Sequence, residues 1–341
     1  MNTTNTSMAQ DLKSQIAREY RKKFGLKMPT TALARLILKE NGIVFDSVEQ
    51  ARSALRYIEG KNGNRSRSVL KNKELAIIEH RSNNPYHLPE SEETIFEPYV
   101  IKGVSCLGVI SDIHIPYHSI EAITAALNEF KRRKVDGILI NGDLIDFYQL
   151  SRFNKDPRKR SVAHEIKATN DFLDSLQKHF PKAKIFYKSG NHCVRYNHFL
   201  LLKAPELLGI PEIEFASLLK LKERKIIHIG DKTIVKANSL NLIHGHEFGG
   251  SVFSPVNIAR GLYLKGKTSA MQGHNHQVSE HTEPNMNGEI TTTWSLGCLC
   301  ELHPEYLPIN KWAHGAAVVD LHKNGKDFSV HNFRIYKGKV L

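Results

Sequence analysis

The sequence has 341 residues, of which 40% are hydrophobic and 24% are charged, and this composition is typical of a soluble globular protein. It contains no apolar run near the roughly 20 residues that cross a bilayer, and its polar N-terminus differs from a secretory signal, so we expect no membrane partner. The four cysteines lack zinc-type spacing, which predicts reduced thiols and a cytoplasmic location.

The net charge of +13 is concentrated near the N-terminus. Residues 1–73 contain fifteen Lys or Arg and six Asp or Glu, a net charge of +9, so the other 268 residues share only +4. A basic segment joined to a nearly neutral body favours a polyanionic partner such as nucleic acid. A charged surface that is merely solvated is the alternative, which charge alone leaves open.

The first 60 residues predict a small helical module. Apolar residues at helical spacing indicate helices over residues 11–24, from about residue 29 to 41, and from Ser47 to just before Gly60. The last two helices are arranged as in a helix-turn-helix, which binds nucleic acid in some proteins and other proteins elsewhere. The candidate nucleic-acid contacts are the arginines of the third helix and of the basic stretch after it, Arg52, Arg56, Arg65 and Arg67.

From about residue 100 the pattern changes to strands that alternate with helices. The strands are predicted over residues 104–111, 135–141 and 183–189, with amphipathic helices between them that begin near residues 119 and 162. This order indicates a parallel sheet covered by helices. Beyond residue 225 seven further strands are predicted, several joined by Asn-Gly turns. We expect a helical module over 1–60, a linker over 61–100 and an α/β domain over 101–341.

Five of the predicted strands end in short turns that carry carboxylate, amide or imidazole groups. These turns read DIH (112–114), GDLID (142–146), GNH (190–192), HGH (244–246) and GHNH (273–276). The carboxyl ends of strands in an open α/β sheet meet at one crevice, where ligands bind. One such turn is most simply a helix cap or a surface pair, but five in the same position indicate a metal site.

Oxygen and nitrogen ligands in this mixture suit borderline or hard divalent ions, of which we favour Mn, with Fe, Zn, Ni or Mg as alternatives. Seven or eight candidate ligands are too many for one tetrahedral ion. We therefore predict two divalent ions, roughly 3.5–4 Å apart, that share a carboxylate.

The ordered set DxH, GDxxD, GNH, HGH and GHxH resembles the calcineurin-like metallophosphoesterase superfamily over residues 104–320. The resemblance implies an α/β fold, a βαββα sandwich in which two packed mixed sheets are flanked by helices, with a two-metal centre. It implies that one ion binds to Asp112, His114 and His276, that the other binds to Asn191, His244 and His274, and that Asp143 bridges both.

The same resemblance implies a phosphoester hydrolase. A hydroxide held between two cations forms near neutral pH and attacks phosphorus in line. His192 is expected to donate a proton to the leaving oxygen, and Asp146 to orient and charge that imidazole. Arg195, three residues after His192, is expected to reach the bound phosphate, and a structural ion pair is the equal alternative.

Several positions stay open or depart from the family pattern. Cys193 stands where many members have Asp or Glu, and it is either a tolerated small side chain or a redox-sensitive thiol. Phe147 replaces an Arg that is typical of the protein Ser/Thr phosphatases, so a dedicated protein phosphatase is not favoured. His246 is either a neighbour of the metal ligands or a residue that faces substrate. Residues 151–160 are either a positive rim for a polyanionic substrate or a solvated loop.

We therefore expect a phosphodiesterase or nuclease that its basic module brings to nucleic acid. The layout also resembles phosphoesterases encoded by phages and prophages, which implies nucleic-acid processing in a bacterial or phage-infected cytoplasm. The enzymatic alternative is a phosphomonoesterase that acts on nucleotides, nucleic-acid ends or phosphoproteins. The alternative outside enzymes is a nucleic-acid-binding protein with a structural metal site.

Overall fold

The computed structural model describes residues 3–25, 28–61, 86, 93–94, 96–152, 156, 158, 161–249 and 256–341, with the side chains of the first helix described from Leu12 onward. The chain divides into two compact units, Met1–Glu92 and Glu93–Leu341. The domain boundaries expected at residues 60 and 100 stay a prediction. Within these ranges no helix is both long and apolar enough to cross a membrane.

The described part of the N-terminal unit forms the three predicted helices, α1 (Thr3–Phe24), α2 (Thr30–Glu40) and α3 (Val48–Ile58), of which α1 begins at Thr3 and not at residue 11. The third helix begins where the Ser47 hydroxyl accepts a hydrogen bond from the Gln50 amide at 3.2 Å, which caps the helix. Apolar faces of all three helices form one buried cluster. Arg21, which is 2% exposed, pairs with the buried carboxylate of Glu59 and also donates to the Met28 carbonyl at 2.7 Å.

The second unit contains strands and helices in alternation. Its strands are β1 (Tyr99–Val100), β2 (Cys106–Ile110), β3 (Gly137–Asn141), β4 (Lys184–Lys188), β5 (Ile227–Ile229), β6 (Val235–Ala237), β7 (Leu240–Ile243), β8 (Ala270–Gln272), β9 (Ser279–Pro284), β10 (Ile290–Ser295), β11 (His314–Leu321), β12 (Phe328–Tyr336) and β13 (Lys339–Val340). Its longer helices are α4 (Ile120–Arg132), α5 (Val162–His179), α6 (Asn191–Lys203) and α8 (Ile258–Gly266), and α7 (Phe215–Leu218) is a single turn. Every strand that the sequence predicts is present.

Two mixed sheets pack face to face. One has the order β13-β12-β11-β2-β3-β4-β5, in which β2 to β5 run parallel, and the other has the order β1-β6-β7-β8-β10-β9. Leu107 and Leu139 of the first sheet share a buried cluster with Val235 and Leu242 of the second, so this cluster lies between the sheets. The arrangement confirms the predicted sandwich.

Helices cover the outer faces. Buried residues of α4, α5 and α6 pack with the apolar face of β2, β3 and β4 that points away from the second sheet, and α8 packs on β7 and β8 through Leu262. Because β3 is buried along its whole length, its sequence is a continuous apolar run rather than an alternating one. The parallel strands β2, β3 and β4 therefore end together at one edge, and β7 and β8 end beside each other in the facing sheet.

Candidate metal centre

The motif turns leave their strands in a conformation that ordinary residues rarely adopt. The backbone φ angle is positive at five of the seven predicted ligands, Asp112 (55°), His114 (50°), Asp143 (49°), His274 (66°) and His276 (57°). Each such residue costs on the order of 1–3 kcal/mol, and strain of this kind persists only where the surroundings enforce it. Its concentration at these turns is typical of a functional site.

The first group of predicted ligands surrounds the carboxylate of Asp112. Its Oδ1 atom lies 3.2 Å from His276 Nε2 and 3.8 Å from His114 Nε2, and the two Nε2 atoms are 3.2 Å apart. The other oxygen, Oδ2, accepts hydrogen bonds from Ser111 Oγ at 2.6 Å and from the His274 amide at 2.8 Å. Oδ1 is buried and accepts no hydrogen bond from any described residue, which is costly unless a cation binds there.

The second group surrounds His244. Its Nε2 atom lies 3.1 Å from Asp143 Oδ2 and 3.1 Å from Asn191 Oδ1. Asp143, His244 and His274 each bring one ligand atom to within 4.8 Å of the others. The Nδ1 atom of His244 lies 2.8 Å from the Asn141 carbonyl, which fixes the ring so that Nε2 points into the group.

Asp143 lies between the two groups. Its Oδ2 atom, which is 3.1 Å from His244 Nε2, is also 4.0 Å from His114 Nε2 in the first group. The structure therefore brings all seven predicted ligands to one place, with Asp143 where a bridging ligand belongs. This set of carboxylate, amide and imidazole donors fits two divalent ions of the borderline class. Which residue binds which ion stays a prediction.

The charges of this centre are interdependent. Burial raises the pKa of Asp112 and Asp143, but the neighbouring imidazoles outweigh it and hold both values well below the ordinary range. Burial lowers the pKa of His114, but the neighbouring carboxylates of Asp112 and Asp146 outweigh it and raise that pKa to about 10. Burial lowers the pKa of His274 to about 4. The carboxylates are thus anionic, and cations that bind between them take the place of shared protons.

The predicted catalytic residues stand beside the first group. Asp146 Oδ2 lies 3.1 Å from Nδ1 of His192 and equally 3.1 Å from Nδ1 of His114, so this carboxylate orients two imidazoles. Arg195 Nη1 donates to the Asp146 carbonyl at 2.9 Å, and its Nη2 lies 3.0 Å from His192 Nε2. Arg195 Nη1 also lies 3.3 Å from Asp146 Oδ1, so the ion-pair alternative is present, and the contact of Arg195 with phosphate stays a prediction.

A buried ion pair that sequence reasoning missed supports the HGH turn. Lys188, which is fully buried at the end of β4, places Nζ 2.9 Å from Glu247 Oε1. Glu247 in turn accepts hydrogen bonds from the amides of His244 at 2.9 Å and Gly245 at 2.6 Å. Lys188 resembles an ordinary strand-end lysine in the sequence, and the only local signal was an acidic residue three positions after His244.

Cys300 is a second residue that the sequence did not single out. Its Sγ atom lies 3.9 Å from His276 Nδ1, and it forms a potential ligand group with His114 and His276. Cys298 and then burial raise the pKa of Cys300 well above its usual value. The Cys300 side chain thus packs against the ring of the predicted ligand His276.

The structure shows the surroundings of Cys193 and His246, two positions that the sequence left open. Cys193 is buried with Sγ 2.9 Å from the Tyr187 hydroxyl, and burial raises its pKa to about 11, which favours the small-side-chain interpretation over a redox-sensitive thiol. The ring of His246 lies 5.4 Å from that of His244, and its Nε2 atom is 3.8 Å from Asp231 Oδ2. His246 is therefore a neighbour of the second group.

The predicted nucleic-acid contacts are only partly described. Arg52 and Arg56 are half-buried on α3, and Arg52 Nη1 lies 3.3 Å from Glu49 Oε2. Arg65 and Arg67 lie outside the described residues, as do most positions of the 151–160 segment, although Arg158 pairs with Asp156 at 2.9 Å. Binding of nucleic acid by these residues stays a prediction.

Comparison with known proteins agrees with the geometry. Residues 107–248 match the family model of the calcineurin-like phosphoesterases. Among solved structures, Vacuolar Protein Sorting 29 from Cryptosporidium parvum is 13% identical, with 70% of this chain and 95% of that chain covered and a TM-score of 0.39. The phosphoesterase Yfce from E. coli is 17% identical, with 66% and 98% covered and a TM-score of 0.31. A comparison with curated proteins found no match.

The motif turns of this chain largely coincide with the segment that the family model matches. The matched segment contains four of the five motif turns, from DIH at residue 112 to HGH at residue 244, and the fifth adds its ligands to the same centre. The segment over residues 107–248 therefore matches the calcineurin-like phosphoesterases, and the candidate metal centre of this chain is built largely from that segment.

Proposed function

We propose that this protein hydrolyses phosphodiester bonds in nucleic acid at a centre that holds two divalent ions, with Mn as the favoured metal. The observation that most strongly supports metal-dependent hydrolysis is the Asp112 Oδ1 atom. This atom is buried among imidazole nitrogens beside Asp143 and accepts no hydrogen bond from the described residues, as expected of a metal ligand. The charge of +9 over residues 1–73 supports a polyanionic substrate.

Two such ions lower the pKa of a bound water and neutralise charge on phosphoryl oxygens. The protein's own part is to fix these ligands and to move a proton. Because a guanidinium has no lone pair, Arg195 must donate to His192 Nε2, and the proton of that ring then lies on Nδ1, facing Asp146. Phosphate oxygens are stronger acceptors than an imidazole nitrogen. A bound phosphate therefore attracts Arg195 and leaves Nε2 free to carry the proton for the leaving oxygen.

The first test compares Mn²⁺-dependent hydrolysis of bis-p-nitrophenyl phosphate with that of p-nitrophenyl phosphate, by wild type and His192→Ala. We expect turnover of the diester, and a loss of about 10²- to 10⁴-fold in His192→Ala, which is the usual contribution of a general acid. Turnover of the monoester alone favours the phosphomonoesterase alternative. Mn²⁺ binding without turnover of either compound favours the binding protein with a structural metal site.

The second test addresses nucleic acid with the full chain. The double substitution Arg52→Gln and Arg56→Gln is expected to lower kcat/KM for labelled single- or double-stranded DNA and to leave bis-p-nitrophenyl phosphate hydrolysis unchanged. Lys167→Gln is the matched control, because it removes an exposed charge from α5 in the other unit. Equal kcat/KM for DNA in the double variant and the control contradicts a role of these arginines in nucleic-acid binding.

A further inference from the structure

The rim of the metal centre carries two aromatic side chains that the hydrolytic step does not use. The ring of Trp312 lies 4.1 Å from the ring of the predicted ligand His276, with 67° between their planes. The ring of Tyr306 lies 6.3 Å from that of Trp312, with 65° between the planes. Tyr306 is 77% exposed, so its ring faces water beside a centre that is otherwise buried.

The segment that carries these rings is held in place. Asn310 Nδ2 donates to the Leu302 carbonyl at 2.6 Å and to the Leu307 carbonyl at 2.9 Å, and its Oδ1 accepts from the Trp312 amide at 2.8 Å. The next amide, that of Ala313, donates to the His276 carbonyl at 2.8 Å. The backbone that carries Trp312 is therefore held next to the predicted ligand His276.

The surroundings of Tyr306 are partly charged and partly apolar. Partial burial and then the negative charge of Asp146 raise the pKa of its hydroxyl. Leu307 and Ile309, exposed by 40% and 90%, extend the apolar surface next to the ring. An apolar surface built from edge-to-face rings thus begins at the predicted ligand His276 and continues outward into solvent.

We infer that Tyr306 and Trp312 form a stacking platform for the nucleobase attached to the scissile phosphate. This inference rests on the proposed function, and it assigns the substrate class to nucleoside esters of phosphate. Every base has a flat π-face, so such a platform binds nucleotides with little sequence preference. Because the Trp312 ring contacts a predicted metal ligand, the platform lies within reach of a nucleoside whose phosphate binds at the metals.

The kinetic test uses two diesters that release the same p-nitrophenol, the p-nitrophenyl ester of thymidine 5′-phosphate and methyl p-nitrophenyl phosphate. Stacking of one base is worth about 5- to 150-fold in affinity, so wild type is expected to prefer the nucleoside ester by that factor in kcat/KM. Tyr306→Ala is expected to lower this preference at least fivefold through KM, and Tyr306→Phe to restore it. Tyr336→Ala, which removes an exposed tyrosine of β12, is expected to leave both rates as in wild type.

If neither diester is hydrolysed, the proposed function is contradicted. A binding test then still decides whether the platform exists. The protein has two tryptophans, and Trp294 is buried in β10, so Trp294→Phe leaves Trp312 as the fluorescent reporter. In the Mn²⁺-loaded protein, AMP is expected to quench this fluorescence and to bind at least fivefold more tightly than ribose 5-phosphate. Equal affinity for AMP and ribose 5-phosphate, or an equal rate for the two diesters in wild type, overturns the platform and leaves phosphoester hydrolysis intact.

Discussion

Replacement of Lys188 tests whether the buried ion pair behind the HGH turn is essential to the centre. The Lys188 ammonium, with none of its surface exposed, binds Glu247 at 2.9 Å and the carbonyls of Asp231 at 2.6 Å and Thr233 at 2.9 Å. Lys188→Met keeps much of the volume but leaves the Glu247 carboxylate and these carbonyls without their cation. Breaking a buried pair in this way costs about 3–5 kcal/mol, and we expect that loss in the free energy of unfolding.

The assay is urea unfolding followed by tryptophan fluorescence, because both tryptophans lie in the second unit. It is performed first on protein treated with EDTA, which separates folding from metal binding, and then with added Mn²⁺. Glu247 accepts hydrogen bonds from the amides of His244 and Gly245, so its displacement disturbs a predicted ligand. We therefore also expect the Mn²⁺ affinity of Lys188→Met to be about 10- to 100-fold lower than that of wild type.

The matched control is Lys167→Met, which removes an exposed lysine whose Nζ lies 2.8 Å from Asp171, and its expected cost is about 0–1 kcal/mol. The double variant Lys188→Met with Glu247→Gln leaves no buried charge unpaired, so it is expected to recover part of the loss. A Lys188→Met protein as stable as the control contradicts the reasoning.

Hydrogen bonds from Arg132 lower the pKa of Glu129 from 4.5 to about 2. The stability that ionised Glu129 contributes is therefore complete above pH 4.5 and is lost as the pH falls through 2. The difference in unfolding free energy between wild type and Glu129→Gln should be smaller at pH 3 than at pH 7. Arg21→Met removes the buried cation that pairs with Glu59 and leaves that carboxylate only Lys61 Nζ at 3.4 Å as a cation among the described residues, so hydrogen exchange should accelerate in α1, α2 and α3 and not in β2 to β4. The Cβ that Gly142→Ala adds would lie 2.1 Å from His244 Nδ1, at a position where φ is +93°. This substitution should therefore displace the His244 ring and weaken Mn²⁺ binding.

The elements that sequence reasoning found are those whose pattern is local. Strands β2, β3 and β4 are buried runs that end in polar turns, and α2 and α3 carry apolar stripes with clear ends. The candidate ligands were found for the same reason, since each follows a strand directly. Their convergence followed from the rule that parallel strands end at one edge.

The features that were missed depend on distant partners. Strand β1 is two residues long and exists because it pairs with β6, some 135 residues further along the chain. Helix α6 was not predicted because its first residues belong to the GNH motif and its basic, aromatic and apolar residues form no clear stripe. Lys188 and Trp312 owe their importance to contacts with Glu247 and His276, which no local spacing indicates.

The most direct test of the two-ion centre is Mn²⁺ binding to the EDTA-treated full-length protein, with stoichiometry from equilibrium dialysis and coupling from electron paramagnetic resonance. We predict two ions per chain with the multiline spectrum of a coupled pair about 3.5–4 Å apart, and loss of that coupling in Asp143→Asn. A single ion per chain with the six-line spectrum of isolated Mn²⁺, unchanged in Asp143→Asn, would contradict the account.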